Sequence, residues 1–172
     1  MKAMLAQRLL RQAWEQTIAR QTPVKPWPWA DTVPIARFRV PRHKIDEIVL
    51  AGASGRTLAF GPAYHEDSAR PGMMGVSVIT GHRDTHFRFL RRLEPGDRIE
   101  VQTAHDALVN YRVLGSSVVD SRLPLHVPEI NENLLLLVTC YPFDALVPGG
   151  PLRYVVMAEM RDETQPAGSS DR

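Results

Sequence analysis

From residue 35 to residue 159 the chain is a succession of short β-prone apolar runs, each closed by glycine or proline, and few folds accommodate that pattern. The runs cover residues 36–40, 47–50, 76–80, 98–103, 109–119, 134–140 and 153–159. Between them stand turn signals such as Ala51-Gly-Ala-Ser-Gly55, Arg70-Pro-Gly72, Glu94-Pro-Gly-Asp97 and Pro148-Gly-Gly-Pro151. No helix-length pattern alternates with the strands, which argues against a parallel α/β sheet. A sandwich or closed barrel of seven or eight strands hides the strand edges and is the expected solution. Short helical pieces are expected near residues 56–60 and 86–93.

The first 34 residues obey different rules. Leu5, Leu9, Ala13, Trp14 and Ile18 recur at helical spacing, with Arg8, Arg11, Gln12, Glu15 and Arg20 between them. This predicts an amphipathic helix over residues 2–20, either packed on its own domain, acting as a spacer, or lying on a membrane surface. Pro23, Pro26, Pro28 and Pro34, interleaved with Trp27 and Trp29, then make a stiff extended connector.

Composition narrows the function. Of 172 residues, 44% are hydrophobic and 23% charged, with a formal net charge of +2, values of an ordinary globular domain. No basic block interleaved with aromatics suggests a nucleic-acid partner. There is no apolar run of roughly 18 residues to span a bilayer. The single cysteine excludes an intramolecular disulfide.

Three strand ends carry reactive side chains. The run Leu134-Leu-Leu-Leu-Val-Thr-Cys140 reads as a strand buried on both faces, ended by Pro142, so Cys140 falls where the chain leaves the core. It is either a small buried apolar group or a reactive thiol. In Val76-Ser-Val-Ile-Thr-Gly-His82 a β-branched run ends at Gly81, which permits close backbone approach, and His82 follows. Arg153 opens a third apolar run, as a solvated cation or as a fixed donor set for an oxyanion. Together they supply a cationic neighbour that favours thiolate, an acid/base near neutrality and charge stabilisation. The spacing of His82 and His86 is that of a zinc helix, but no glutamate follows His82 and a strand precedes it, so no metal is expected.

Thr80-Gly-His-Arg-Asp84, Thr139-Cys-Tyr-Pro-Phe143 and Arg153-Tyr-Val-Val156 resemble, in order, the three signatures of the sortase family. The resemblance extends over residues 35–159 and includes residues 89–93, Pro95-Gly-Asp97 and Tyr111-Arg-Val113. Lys25-Pro-Trp-Pro-Trp-Ala30 and residues 52–59 look closest to the short sortases of Gram-negative bacteria (proteobacteria). One departure stands out: Leu136 occupies the place where the family signature Thr-Leu-x-Thr-Cys opens with threonine.

The resemblance implies an all-β, closed eight-stranded barrel with short helices and an N-terminal amphipathic helix. The helix and connector would occupy residues 1–34, the barrel 35–160 and a tail 161–172. It implies a cysteine transpeptidase that cleaves the Thr–Gly bond of an LPXTG-like C-terminal sorting signal and transfers the secreted protein to an amine acceptor, without a cofactor. A barrel that only binds such peptides is the alternative. Cys140 would be the nucleophile, His82 the acid/base and Arg153 the oxyanion or substrate-positioning group. Thr139 would help hold the tetrahedral intermediate by its backbone or hydroxyl. Leu123, Pro124, Leu125, Val127 and Pro128 would line a groove for the Leu-Pro pair. The family's membrane anchor is expected outside this sequence, placing the barrel at the outer (periplasmic) face of the cytoplasmic membrane.

Overall fold

The structure, a computed structural model, describes residues 2–123, 133–145 and 149–161. Its elements are helix α1 (Lys2–Arg20), strand β1 (Pro34–Val40), a 3-10 turn (Pro41–His43), β2 (Ile45–Ala51), the short helix α2 (Gly55–Leu58), β3 (Ala63–Tyr64) and β4 (Val76–Thr80). A second 3-10 turn (Arg88–Arg92) precedes β5 (Arg98–Thr103), β6 (Leu108–Asp120), β7 (Leu134–Cys140) and β8 (Leu152–Met160). The strands close into a barrel in the order β1-β2-β3-β4-β7-β8-β6-β5. The expected eight-stranded barrel is therefore observed.

Alternation builds the wall. Along β1, Pro34, Ala36, Phe38 and Val40 are buried while the residues between them are partly exposed, the period of two that a strand with one core face requires. Phe38, Val49, Ile79, Ile99, Leu135, Leu137 and Val156 meet in the interior. Phe87 and Phe89, from the loop after β4, plug it against Phe38, with ring centroids 5.9–6.4 Å apart. In β7 residues 134–137 are all buried, as a strand covered on both faces should be. Leu136 is among them, beside Val78 and Met157, so the departure from the family signature falls on a packing position.

Helix α1 packs on its own domain. Its buried stripe is Leu10, Ala13, Trp14 and Thr17, an i, i+3, i+4, i+7 set, with Leu10 and Trp14 set against Ile48 and Leu50 of β2. Leu5, expected on that face, is exposed. The stripe is rotated because Arg11, beside Leu10, reaches Asp46 at 3.2 Å while Thr17 accepts from the Val24 amide at 3.0 Å. Full burial of side chains such as Leu10 and Trp14 is worth about 1.5–3 kcal/mol each, enough to hold a helix that would be marginal alone. The connector follows the same surface, Trp27 standing edge-on to Phe60 with centroids 5.0 Å apart.

Candidate active site

Strand register assembles the site. Cys140 and Arg153 are direct partners across the antiparallel pair β7–β8. On the other side of β7 runs β4, parallel to it, with Thr80 opposite Val138. The Gly81 amide extends that ladder by donating to the Val138 carbonyl at 3.1 Å. His82 follows Gly81 directly, on the β4 flank of β7. The order β4, β7, β8 thus puts Cys140 between the strand end that leads to His82 and the strand start that carries Arg153. Leu135, Leu137 and Thr139 take the core face of β7, so Cys140 takes the outer face, where it is exposed, as is His82.

Three ties fasten the His82 segment to the Cys140 segment. The first is the Gly81 amide bond already described. The second is the Thr139 hydroxyl, fully inside, donating to the Gly81 carbonyl at 2.7 Å. The resemblance offered the backbone or the hydroxyl of Thr139 for holding the reaction intermediate, and the hydroxyl proton is directed to Gly81. The third is Arg83, whose Nη1 donates to the Pro142 carbonyl at 2.6 Å and Nη2 to the Ala145 carbonyl at 3.2 Å. Its Nε and Nη2 grip both oxygens of Asp84 at 2.8 and 2.9 Å. Gly81 is required by contact: a Cβ there would lie 2.7 Å from Cγ of the buried Phe87 ring.

Arg153 is half-buried, and its Nη1 donates to the carbonyls of Gly150 and Leu152 at 2.6 and 2.9 Å. Among the described residues no hydrogen bond engages its Nε or Nη2. The amide of Tyr141, next after the nucleophile candidate, donates to the Leu152 carbonyl at 3.0 Å, so that N–H is occupied. Among the described residues Arg153, the cross-strand partner of Cys140, therefore keeps N–H groups that no hydrogen bond engages. Beneath the site Tyr141, Phe143 and Tyr154 pack together, with centroids 5.1–6.3 Å apart, and the Arg91 guanidinium stands 6.0 Å from the Phe143 ring.

Of the expected groove residues, Leu123 is exposed just after β6, while Pro124, Leu125, Val127 and Pro128 lie outside the described residues. The loop that holds them leaves β6 at Asp120, where the adjacent Arg122 guanidinium holds the Asp120 carboxyl down at about 2. The start of this loop is fastened to the segment preceding Arg153 by Ser121, whose amide and hydroxyl both donate to the Pro151 carbonyl. No group of three or more metal-ligating side chains occurs among the described residues. His86 stands in a turn with Nδ1 3.2 Å from Glu47 Oε2, so it and His82 form no helical zinc pair. A cleft of about 610 Å³ between α1, the connector and the region of α2 contains none of the site residues. Register, not cavity size, locates the site.

The comparisons with known proteins bear on the fold and the family. The family profile described as the Sortase domain matches residues 38–161. The chain belongs to the sortase family. It is 29% identical to sortase D of Bacillus subtilis over 120 residues, covering 69% of this chain and 60% of that protein, so it spans about three fifths of its relative's length. Sortase A from Corynebacterium diphtheriae superimposes with a TM-score of 0.69 at 26% identity, covering 81% of this chain and 66% of that one. Sortase C-1 from Actinomyces oris gives 0.64 at 27% identity, covering 75% of each. These sortases come from Gram-positive bacteria, which overturns the expected closeness to Gram-negative sortases and removes the basis for a periplasmic setting. The two stretches that suggested that lineage are the connector and the region of α2, where Trp27 meets Phe60. No described helix is long and apolar enough to cross a membrane.

Proposed function

We propose that this sortase is a cysteine transpeptidase acting on an LPXTG-like sorting signal of a secreted protein, in the cell envelope at the outer face of the cytoplasmic membrane, with an anchor outside the described residues. The Cys140 thiolate attacks the threonyl carbonyl, forming a C–S bond. As the tetrahedral intermediate collapses, the Thr–Gly C–N bond breaks and His82 gives its proton to the departing amine. An acceptor amine then loses a proton to His82 and attacks the thioester, forming a new C–N bond and releasing the sulfur. Arg153 donates to the oxyanion in both halves.

The observation that carries this reading is the register partnership of Cys140 with Arg153, with the strand end leading to His82 on the opposite flank of β7. Support also comes from the occupied Tyr141 amide, which leaves charge stabilisation to a side chain. The test is incubation with an LPXTG-type peptide, with and without amines, followed by mass spectrometry of Cys140. A thioacyl adduct and an amine-dependent product are expected. Cys140→Ala should abolish both, and His82→Ala or Arg153→Ala should each lower turnover by roughly 100-fold or more. Peptide binding without adduct or cleavage would leave a binding module in place of an enzyme.

A further inference from the structure

Arg83 is an anomaly for a residue in a loop. Only 9% of its surface is exposed, and with Asp97 it is one of two charged residues buried among those described. A buried guanidinium is tolerated only when its donors are satisfied, and here four hydrogen bonds reach three residues. Two of those bonds go to backbone carbonyls 59 and 62 residues along the chain, both in the turn that follows Cys140. The other two form the bidentate grip on Asp84, which fixes the plane of the guanidinium. The ionisable groups close enough to act on it electrostatically are Asp84, Cys140 and Asp144.

We propose that Arg83 is a positioning residue that sets the working distance between Cys140 and His82 by clamping the turn at 141–145 to the segment carrying the imidazole. The inference rests on the reading of Cys140 and His82 as the reacting pair. On the β4 side strand pairing ends at Val138, opposite Thr80, with one more bond from the Gly81 amide, while on the β8 side it runs to Cys140 and the Tyr141 amide still holds Leu152. Beyond that point, among the described residues, Arg83 supplies the hydrogen bonds that tie the turn back to the segment of His82, while Arg91 adds only a looser contact, 3.9 Å from Asp144 and 6.0 Å from the Phe143 ring. Proton transfer between sulfur and imidazole needs contact of about 3 Å, and a misplacement of about 1 Å costs about 100-fold. Arginine is needed for its fork: a lysine ammonium keeps the charge but cannot hold Asp84 and two carbonyls in one plane.

The test compares wild type with Arg83→Lys and Arg83→Gln, reading kcat and KM for the LPXTG-type peptide and the pH profile of Cys140 alkylation by iodoacetamide. Wild type should form the thioacyl adduct; if it does not, the catalytic reading fails and takes this inference with it. With wild type active, both variants should lose about 100-fold in kcat while KM stays within about threefold, and lysine should be no better than glutamine. Their alkylation profiles should superimpose on that of His82→Ala, since the imidazole no longer reaches the sulfur. Near-normal kcat in either variant, or a reduced kcat with the wild-type alkylation profile, would overturn the proposal. Should neither variant fold, Asp84→Asn provides the second test, because Asp84 is 71% exposed and its loss frees the guanidinium plane without opening the core. A fall in kcat at unchanged KM is expected there, with the alkylation profile moved toward that of His82→Ala; an unchanged enzyme would refute the clamp.

Discussion

Arg83 and Asp97 are both buried charges at one rim of the barrel, where β4 and β7 end and β5 begins, yet they fasten different things. Arg83 reaches out to two carbonyls of the turn after Cys140. Asp97 gathers inward: its carboxylate takes Nη1 of Arg42 at 2.6 Å, Nε2 of His43 at 3.1 Å and the Glu94 amide at 3.0 Å. Those partners belong to the 3-10 turn after β1 and to the turn opening β5, and none is a site residue. The physical solution is the same at both places, a charge made tolerable by a full set of partners. What differs is the cargo: one clamp holds the segments that carry Cys140 and His82, the other holds the scaffold. On the function proposed above, identical chemistry at one rim divides between activity and stability.

That division can be broken by substitution. The largest effect is expected at Gly81→Ala, on the Arg83 side. The new Cβ would meet the buried Phe87 ring at 2.7 Å, so either the ring or the His82 segment must shift. Turnover should fall by about 100-fold, with a stability loss of about 1–3 kcal/mol from overpacking. Peptide-cleavage kinetics and urea denaturation check the two, and an active, stable variant would show slack where the comparison demands none.

Asp97→Asn should do the reverse, lowering stability by about 1–3 kcal/mol at neutral pH while leaving turnover essentially unchanged. Burial alone would raise the Asp97 carboxyl, but the Glu94 amide, Arg42 and His43 together outweigh it and hold the group below the usual carboxylate range. Because the folded value is the depressed one, the contribution is present in full above the unfolded value of about 3.9 and disappears as pH falls through the folded value. Denaturation midpoints of wild type and variant should accordingly converge in acid and separate at pH 7. A gap that persists unchanged at acid pH would remove the carboxylate from the explanation.

Thr139→Val sharpens the comparison by the smallest step. It deletes one buried hydrogen bond, to Gly81, and leaves the Gly81 amide bond and Arg83 in place. A cost of about 1 kcal/mol and a fall in turnover of less than about tenfold are expected, measured by the same two assays. A loss as large as that from Gly81→Ala would shift the burden of positioning from Arg83 to this hydroxyl.

Much of this was legible in the amino-acid sequence, for reasons that are local. The expected runs 76–80, 98–103 and 134–140 coincide with β4, β5 and β7, because β-branched and leucine-rich stretches are ended by glycine, proline or a turn residue. The two-residue β3 was not legible, since Ala63 and Tyr64 carry no period and pair with β2 and β4 only through backbone bonds. Helix α1 was readable from its spacing. Its buried face was not, because the choice between Leu5 and Leu10 depends on where β2 and Asp46 stand.

By itself the sequence determined which segments would form every strand but β3, that His82, Cys140 and Arg153 would each stand at or next to a strand terminus, and that Gly81 would allow close approach. Those are consequences of side-chain shape and backbone freedom within a few residues. Only the tertiary structure decided that β7 lies between β4 and β8, that the Thr139 hydroxyl turns inward to Gly81, and that Arg83 is buried. An arginine in a loop is a solvated charge until carbonyls from about 60 residues away are brought to it, and barrel closure alone brings them.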